Sequence, residues 1–380
     1  MTSRAISLPA ERHGRVRCFP PAPAQLDCPP HDQGLRLLLA RLMRGKDLTR
    51  AEAAMLLGAA LDEQSTDVQI AAALVALALK GETVEELTGM AEAMRARAVR
   101  IKCRHARFVD TAGTGSSRAK TFNISTAAAF VCAAAGLPVA KHGSRAATSL
   151  SGSADVLTEL GVNVQADPAV SEQCLNGLGI CFLFAPLYHR ATARVANIRR
   201  ELGVHTTFNL LGPLTNPAGA SRQIIGVWHE ALLEPIAETL LALGTEHAWV
   251  VHGSDGLDEL TTTGGSTVVE VNGGKVHTLR IGPEDFGRSQ SDSLDQLRGG
   301  TARDNARIIR EAFGPGSGRH IETARDLIVI NAAAALVVGG IETDFTAAAE
   351  RAQKSIRSGA ALAKLNALCE QTQSAEARLP

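Results

Sequence analysis

The chain has 380 residues, of which 45% are hydrophobic, enough to fill the core of one large α/β domain with a smaller domain appended to it. The formal net charge is +0, which argues against a dedicated nucleic-acid-binding protein, because such proteins depend on a basic face for their affinity. The seven cysteines form no CxxC pair and no Cys/His cluster, so we expect reduced thiols in a cytoplasmic protein and no zinc site.

The N-terminal segment is rich in Pro and Arg and lacks the apolar region of a secretory signal. We expect residues 1–33 to form a flexible extension. The longest apolar run, residues 127–140, contains Gly and Pro and is too short to span a bilayer. The sequence therefore predicts no membrane association.

Residues 34–100 place apolar side chains at three- and four-residue spacing, which predicts a small all-helical domain of four helices. A further helix is expected from about 187 to 203, joined to this domain. Short helices so rich in Leu and Ala need a partner surface, either in the other domain or in a second subunit.

From residue 101 to about 345, short apolar strands alternate with helices, which predicts an α/β domain with a mostly parallel central sheet. Strands are expected at 106–110, 137–143, 180–186 and 247–253. Two alternating strands around Asn272-Gly273-Gly274 predict a β-hairpin. A long apolar helix at about 322–340 closes the domain, and residues 346–380 are expected to form a C-terminal helix and a tail.

A Gly-rich stretch, DTAGTGSSRAKTFNIST at residues 110–126, lies between a predicted strand and a predicted helix. Gly113 and Gly115 allow a tight turn, and the helix that begins at NIST offers unpaired N–H groups, so the stretch suits a phosphate group. The alternative is an ordinary strand-to-helix turn. A dinucleotide fingerprint would need glycine in place of Arg118, and a Walker A loop would need Gly-Lys-Ser/Thr.

Three further segments carry candidate chemistry. KHGSRAATSLSGSAD, residues 141–155, combines cations with hydroxyl groups, as a second phosphate loop would, although a solvated loop has the same composition. Asp258 and Glu259 follow a predicted strand and offer the hard oxygen ligands that Mg²⁺ takes alongside substrate phosphates, the alternative being an acidic surface turn. Arg194, Arg199 and Arg200 lie on one predicted helix, either as a solvated stripe or with one of them positioned for a carboxylate.

Four motifs occur in an order typical of one family: GTGSS with TFNIST, KHGSR with SGSADVL, VANIRRELGVHTTFNLLGPLTNP, and VVHGSDGLDEL. Over about residues 34–340 the chain resembles anthranilate phosphoribosyltransferase. The resemblance implies a nucleoside phosphorylase/phosphoribosyltransferase-like fold and a homodimer through the helical domain. It also implies transfer of phosphoribosyl from phosphoribosyl pyrophosphate (PRPP) to the amino group of anthranilate, with Mg²⁺ and release of pyrophosphate, in tryptophan biosynthesis.

The resemblance further implies roles for individual residues. Those expected to bind PRPP are Gly113, Thr114, Gly115, Ser116, Ser117, Thr121, Asn123, Ile124, Ser125, Thr126, Lys141, His142, Gly143, Ser144, Arg145, Ala146, Ala147, Thr148, Ser149 and Ser153. Those expected to contact anthranilate are Gly113, Ser144 and Arg199, with Arg199 on its carboxylate. The expected Mg²⁺ ligands are Ser125, Asp258 and Glu259. The expected catalytic residues are Lys141, which stabilises the departing pyrophosphate, His142, which accepts a proton after attack, and Arg199.

Three sites depart from the family pattern. Ser116 and Ser117 replace the usual Gly-Asp, Ser144 replaces Asn, and Arg190 replaces Pro. Loss of the acid predicts altered Mg²⁺ dependence, and a shorter side chain at Ser144 would leave space for a larger acceptor. Three functions remain compatible: an anthranilate enzyme, a paralogue acting on another aromatic amine or carboxylic acid, or a catalytically weak relative that binds a ligand for regulation.

Overall fold

The computed structural model describes residues 30–62, 65–115, 117, 119–146 and 150–374. Most of the predicted extension, residues 1–29, lies outside the described residues. The predicted boundary at residue 33 is wrong, because the first helix already begins at Pro30. No described helix combines the length and the apolar character needed to cross a bilayer.

Helices and strands follow one another along the chain with the bounds below. The helices are α1 Pro30–Met43, α2 Arg50–Leu61, α3 Asp67–Lys80, α4 Val84–Arg97, α5 Ile124–Ala134, α6 Ser153–Glu159, α7 Pro168–Leu178, α8 Ala185–Tyr188, α9 Ala193–Leu202, α10 Thr207–Leu211, α11 Leu233–Ala242, α12 Ala302–Phe313, α13 Arg319–Val338, α14 Phe345–Arg357 and α15 Ala360–Ser374. The strands are β1 Asp110–Gly113, β2 Val139–Gly143, β3 Ile180–Phe184, β4 Arg222–Gly226, β5 His247–Gly253, β6 Ser266–Asn272 and β7 Lys275–Ile281.

The helical domain begins its helices with local hydrogen bonds. Thr49, Thr66 and Thr83 each cap a helix, and the Glu or Gln three residues later bonds back to the cap backbone in all three cases. Helix α9 packs against α2 and α3 and buries Val195 and Ile198 in the same core as these helices. The predicted helix at 187–203 is therefore attached to the helical bundle by packing.

The sheet is mostly parallel, as predicted. Among the described residues, five strands lie in the order β1-β4-β5-β6-β7, with parallel β1–β4 and β4–β5 pairs and antiparallel β5–β6 and β6–β7 pairs. Strands β2 and β3 form a parallel pair that joins β1 through an isolated parallel bridge between Val109 and Val139. The predicted hairpin is confirmed, and its turn residues Gly273 and Gly274 both have positive φ.

The two faces of the sheet contribute to two different hydrophobic cores. Ile225, Val250 and Val269 face α11 and belong to the core that contains the helical domain. Ile224, Trp249 and Val251 belong to the other core, which α5 and α13 cover. Sheets of α/β proteins bind their ligands beyond the carboxyl ends of the strands. In this protein, that position is the cleft between the strand ends and the helical domain.

Four sequence-based expectations need correction. Strand β1 starts at Asp110, where the predicted 106–110 strand ends, because the Thr-Ala-Gly segment pairs with β4 rather than forming a loop. Strand β4 was not predicted, since its five residues follow a Pro- and Gly-rich segment. The helix predicted at about 187–203 is interrupted at His189, between α8 and α9. The C-terminal segment forms two helices rather than one, separated near Gly359, whose φ is 76°.

Candidate active site

One cleft of about 400 Å³ collects most of the predicted site residues. Of the residues expected to bind PRPP, anthranilate or Mg²⁺, those lining it are Gly113, Thr114, Gly115, Ser117, Thr121, Asn123, Ser125, Thr126, Lys141, His142, Gly143, Ser144, Arg145, Ala146, Ser153, Arg199, Asp258 and Glu259. Ile124 is fully buried and does not line the cleft. Ser116, Ala147, Thr148 and Ser149 lie outside the described residues.

The Gly-rich loop, residues 114–123 between β1 and α5, is tied to neighbouring strand ends. The backbone N–H of Thr114 donates to the carbonyl of Gly226 at 2.8 Å, at the end of β4. Ser117 Oγ donates to the carbonyl of Gly256 at 2.9 Å and accepts from the N–H of Asp258 at 3.3 Å. These bonds fix the loop beside the predicted metal-binding carboxylates, and the start of α5 opens into the cleft.

Lys141 does not extend freely into the cleft. Its Nζ donates to the carbonyl of Thr111 and lies 3.4 Å from Ser125 Oγ, so it joins β1 to the first turn of α5. Burial lowers the pKa of Lys141, and the nearby carboxylates of Asp110 and Glu259 oppose this shift. The ammonium group therefore ties the backbone of β1 to the first turn of α5 and offsets negative charge at the base of the cleft.

The predicted second phosphate loop comprises residues 144–152 between β2 and α6, and Asp155 bonds to its described ends. Its Oδ2 accepts from the N–H groups of Ala146 and Gly152, each at 2.9 Å, and its Oδ1 accepts from Arg145 at 2.9 Å. A Cβ on Gly152 would lie 2.5 Å from the nitrogen of Ala146, so only glycine lets the ends of the loop approach this closely. Asp155 therefore holds Arg145 and Ala146, at one end of this segment, close to Gly152 at the other.

Asp258 and Glu259 lie on the carboxylate loop, residues 254–265 between β5 and β6. Glu259 Oε1 accepts from the N–H of Ser125 at 3.1 Å, whereas Glu259 Oε2 is buried without a hydrogen-bond partner. Burial, with Asp258 beside it, raises the pKa of Glu259 to about 8, and burial also raises the pKa of Asp258. The backbone of Asp258 lies against strand β4 at Gly226. A Cβ on Gly226 would lie 1.6 Å from the carbonyl oxygen of Asp258, so this close contact requires glycine.

These carboxylates fit a cation that is shared with a ligand. The described residues contain no cluster of three or more His, Cys, Asp or Glu side chains that could hold a metal alone. Two half-buried carboxylates, one with an unpaired oxygen, and the hydroxyl of Ser125 supply hard oxygen donors of the kind Mg²⁺ takes together with substrate phosphates.

Arg199 lies on the opposite wall, in the last turn of α9. Its Nη2 donates to Asn209 Oδ1 at 3.1 Å, and its guanidinium carbon lies 5.7 Å from the ring centroid of Phe208. Arg199 Nε is buried and has no hydrogen-bond partner. Burial lowers the pKa of Arg199, but a guanidinium remains charged in proteins. Arg199 lines the cleft, and its guanidinium, which keeps one unpaired N–H, is suited to a ligand carboxylate.

His142 is held in one tautomer. Its Nδ1 lies 3.1 Å from the carbonyl of Gly212 and must donate to it, which leaves Nε2, buried without a partner, as an acceptor. Its ring lies 5.2 Å from that of His189, whose Nε2 contacts the carbonyl of Thr215. Burial lowers the pKa of His142 to about 3, so it is a neutral hydrogen-bond acceptor and a weak base.

Sequence reasoning missed several supporting residues. Asp155 bonds to the second phosphate loop, and Asn209 accepts from Arg199. The side chain of Asn305 donates to Asn123 Oδ1 at 3.0 Å. Asp155 was visible only as the third residue of α6, a position typical of a helix cap. Asn305 lies 182 residues from its partner and carries no local signal.

Two family models cover most of the chain. Residues 36–98 match the helical bundle domain of a glycosyl transferase family, and residues 105–362 match the α/β domain of the same family. Fold and family models therefore define a two-domain glycosyltransferase.

Comparison with individual relatives identifies the family within this class. Anthranilate phosphoribosyltransferase of Anaeromyxobacter dehalogenans is 49% identical over 334 residues, 88% of this chain and 97% of the relative. The Thermus thermophilus enzyme of that name superimposes with a TM-score of 0.81 at 36% identity, over 88% of this chain and 99% of its own. The Saccharomyces cerevisiae enzyme in complex with PRPP and Mg has a TM-score of 0.81 at 26% identity, over 90% and 99%. The chain belongs to the anthranilate phosphoribosyltransferase family.

Proposed function

We propose that this protein transfers the phosphoribosyl group of PRPP to the amino group of anthranilate, forming N-(5-phosphoribosyl)anthranilate and pyrophosphate. One observation carries the proposal: a single cleft is lined by both predicted phosphate loops, by the carboxylate pair and by a half-buried arginine whose Nε has no hydrogen-bond partner. The phosphate loops and the carboxylate pair suit the donor substrate PRPP, and the arginine suits the carboxylate of an aromatic acceptor.

PRPP is proposed to bind along the Gly-rich loop and the second phosphate loop. The start of α5 lines the cleft with the positive end of the helix dipole, and the backbone of residues 144–146 continues this surface. Mg²⁺ is the proposed cofactor, held by Ser125, Asp258 and Glu259, and the yeast relative was solved with PRPP and Mg. When bound, the metal would stabilise negative charge on the departing diphosphate.

In the reaction, the bond between ribose C1 and the pyrophosphate oxygen breaks, and the acceptor nitrogen forms a new bond to C1. The nitrogen then loses one proton. Arg199 holds the carboxylate of the acceptor, which is a positioning task that places the amine behind C1. An aniline nitrogen carries a free electron pair at neutral pH, so the chemistry needs no strong base before attack.

Lys141 and His142 are proposed to act by electrostatics and orientation. Lys141 keeps the β1–α5 backbone in place and offsets the charge of Glu259. His142 Nε2 can accept a hydrogen bond from the acceptor amine, and its low pKa favours passing the proton onward to water or pyrophosphate rather than storing it.

A substrate panel tests the proposal. The protein is incubated with PRPP, Mg²⁺ and a series of aminobenzoates, and pyrophosphate release is followed. Turnover with anthranilate supports the proposal. An inert anthranilate with an active analogue would assign the chain to another acceptor, as the exposed Ser144 in place of Asn would permit. PRPP binding without turnover on any acceptor would instead indicate a regulatory relative.

A homodimer through the helical domain is also proposed. Leu37, Met55, Val68 and Leu79 lie on α1, α2 and α3 and are each more than 60% exposed. Apolar side chains concentrated on one small domain suit a contact with a second copy. Light scattering on the purified protein tests this, and a monomer at micromolar concentration would contradict it. The cytoplasmic location stays a prediction of the sequence.

A further inference from the structure

The carboxylate loop has no regular secondary structure to fix it. Asp258 and Glu259 lie within residues 254–265, and strand pairing stops at Gly253 and resumes at Ser266. A loop of this kind needs side chains from elsewhere to hold its backbone at one depth in the cleft. Asp255 supports its outer part by accepting from Thr261 and Thr263.

The inner part of this loop is held by Asn331, a polar residue in the buried, otherwise apolar second half of α13. Asn331 Oδ1 accepts from the N–H of Leu260 at 3.0 Å, and Nδ2 donates to the carbonyl of Leu260 at 3.0 Å. The same Nδ2 donates to the carbonyl of Leu327 at 2.9 Å, one turn earlier on α13. Only this amide orientation satisfies all three bonds, so Asn331 connects the helix to both backbone groups of Leu260.

Asn331 also lies directly behind the carboxylates. A void of about 10 Å³ is lined by Asn331, Asp258 and Glu259 together with residues of β1 and α5. Asn331 is 6% exposed and Leu260 is 1% exposed, so water does not replace these hydrogen bonds while the loop stays in place. The residues that follow Asn331 on α13 are Ala332, Ala333 and Ala334, all fully buried, so the amide is a polar group among apolar neighbours.

We propose that Asn331 is a positioning residue for the metal-binding pair: it holds the backbone of Leu260 so that the carboxylates of Asp258 and Glu259 face the cleft. The inference rests on the proposed function, because it assumes that these carboxylates bind a divalent cation together with PRPP. Asn331 touches neither substrate nor metal, and it acts through the loop. Outer partners that orient metal ligands typically change metal affinity by about 10- to 100-fold when they are removed.

The test measures cation binding directly. Mn²⁺ replaces Mg²⁺ as the probe, and its binding in the presence of PRPP is followed by electron paramagnetic resonance for the unaltered protein, Asn331→Ala and Asn331→Asp. We expect Asn331→Ala to weaken Mn²⁺ binding about tenfold or more. Asn331→Asp keeps the acceptor for the N–H of Leu260 but sets an oxygen against the carbonyls of Leu260 and Leu327, so we expect it to weaken Mn²⁺ binding as well.

Leu336→Ala is the matched control. Leu336 is fully buried on the same helix, and its truncation destabilises α13 without removing a bond to the carboxylate loop. We expect it to lower the melting temperature and leave Mn²⁺ affinity unchanged. The inference about Asn331 would be overturned, with the proposed metal site untouched, if Asn331→Ala bound Mn²⁺ as tightly as the unaltered protein. The same conclusion would follow if Leu336→Ala lost as much Mn²⁺ affinity as Asn331→Ala. Absence of Mn²⁺ binding in the unaltered protein with PRPP would overturn the proposed metal site as well.

Discussion

Ser117 connects the Gly-rich loop to the carboxylate loop: its Oγ lies 2.9 Å from the carbonyl oxygen of Gly256 and 3.3 Å from the nitrogen of Asp258. The hydroxyl thus occupies the position where the family usually carries an acid, and it links backbone groups of the two segments proposed to bind PRPP and its cation. This arrangement gives the departure from the family pattern a structural role.

Replacement of Ser117 by Ala removes the link between these loops. We expect the KM for PRPP to rise about 2- to 10-fold, because a neutral hydrogen bond contributes about 0.5–1.5 kcal/mol, with little change in the KM for the acceptor. Steady-state kinetics with each substrate varied in turn measures both constants. Ser293→Ala, an exposed serine on the surface, serves as the control. An unchanged KM for PRPP would show that the link has no role in binding.

Arg199→Ala tests the acceptor subsite. We expect the KM for anthranilate to rise about 10- to 100-fold, since hydrogen bonds to charged groups contribute about 1.5–3 kcal/mol, while the KM for PRPP changes little. Arg200→Ala is a close control, because that side chain is exposed and bonds only to Asn197 among the contacts described. Equal effects of Arg199→Ala on both substrates would remove Arg199 from its proposed role.

The carboxylate pair is tested by Asp258→Asn combined with Glu259→Gln. We expect Mg²⁺-dependent turnover to fall by at least about 100-fold, because a bound metal supplies several kcal/mol of charge stabilisation. Asp255→Asn is the control: it perturbs the same loop through Thr261 and Thr263, and we expect it to lower stability while turnover keeps its dependence on Mg²⁺. A double variant with unchanged turnover would reject the metal assignment.

The raised pKa of Glu259 predicts a pH dependence. Because its pKa in the folded protein is about 8, above the ordinary value for glutamate, folding favours the protonated form. The resulting stabilisation is fully present below the ordinary pKa and is lost as the pH rises towards 8. Without metal, we expect the melting temperature to fall more steeply between about pH 5 and 8 than it does in Glu259→Gln.

The raised pKa of Glu259 also makes Mg²⁺ affinity depend on pH. Because the carboxyl must lose its proton to bind a cation, we expect Mg²⁺ affinity, measured by calorimetry in the presence of PRPP, to increase with pH and to level off above about pH 8. Parallel pH profiles of melting temperature for the unaltered protein and Glu259→Gln would show that Glu259 does not titrate in this range.

Local sequence was enough to single out several residues that the fold brings to one cleft. Gly113, Gly115, Ser125, Asp258 and Glu259 lie next to predicted strand ends or a predicted helix start, and all five line the cleft. Strand β4 escaped notice because its five residues carry too few apolar positions to stand out beside a Pro- and Gly-rich segment. It nevertheless lies between β1 and β5, and its Gly226 admits the backbone of Asp258.

Periodicity and short-range motifs in the chain were enough to predict the order of most elements, the mostly parallel sheet and the hairpin, because these depend on residues close together in sequence. The folded chain was needed to show that Lys141 bonds to Thr111, that Arg199 keeps an unpaired nitrogen, and that Asn331 holds Leu260. Each of these depends on contacts between groups far apart in the chain, or on the burial those contacts create, and no local pattern specifies which distant backbone group a buried polar side chain will meet.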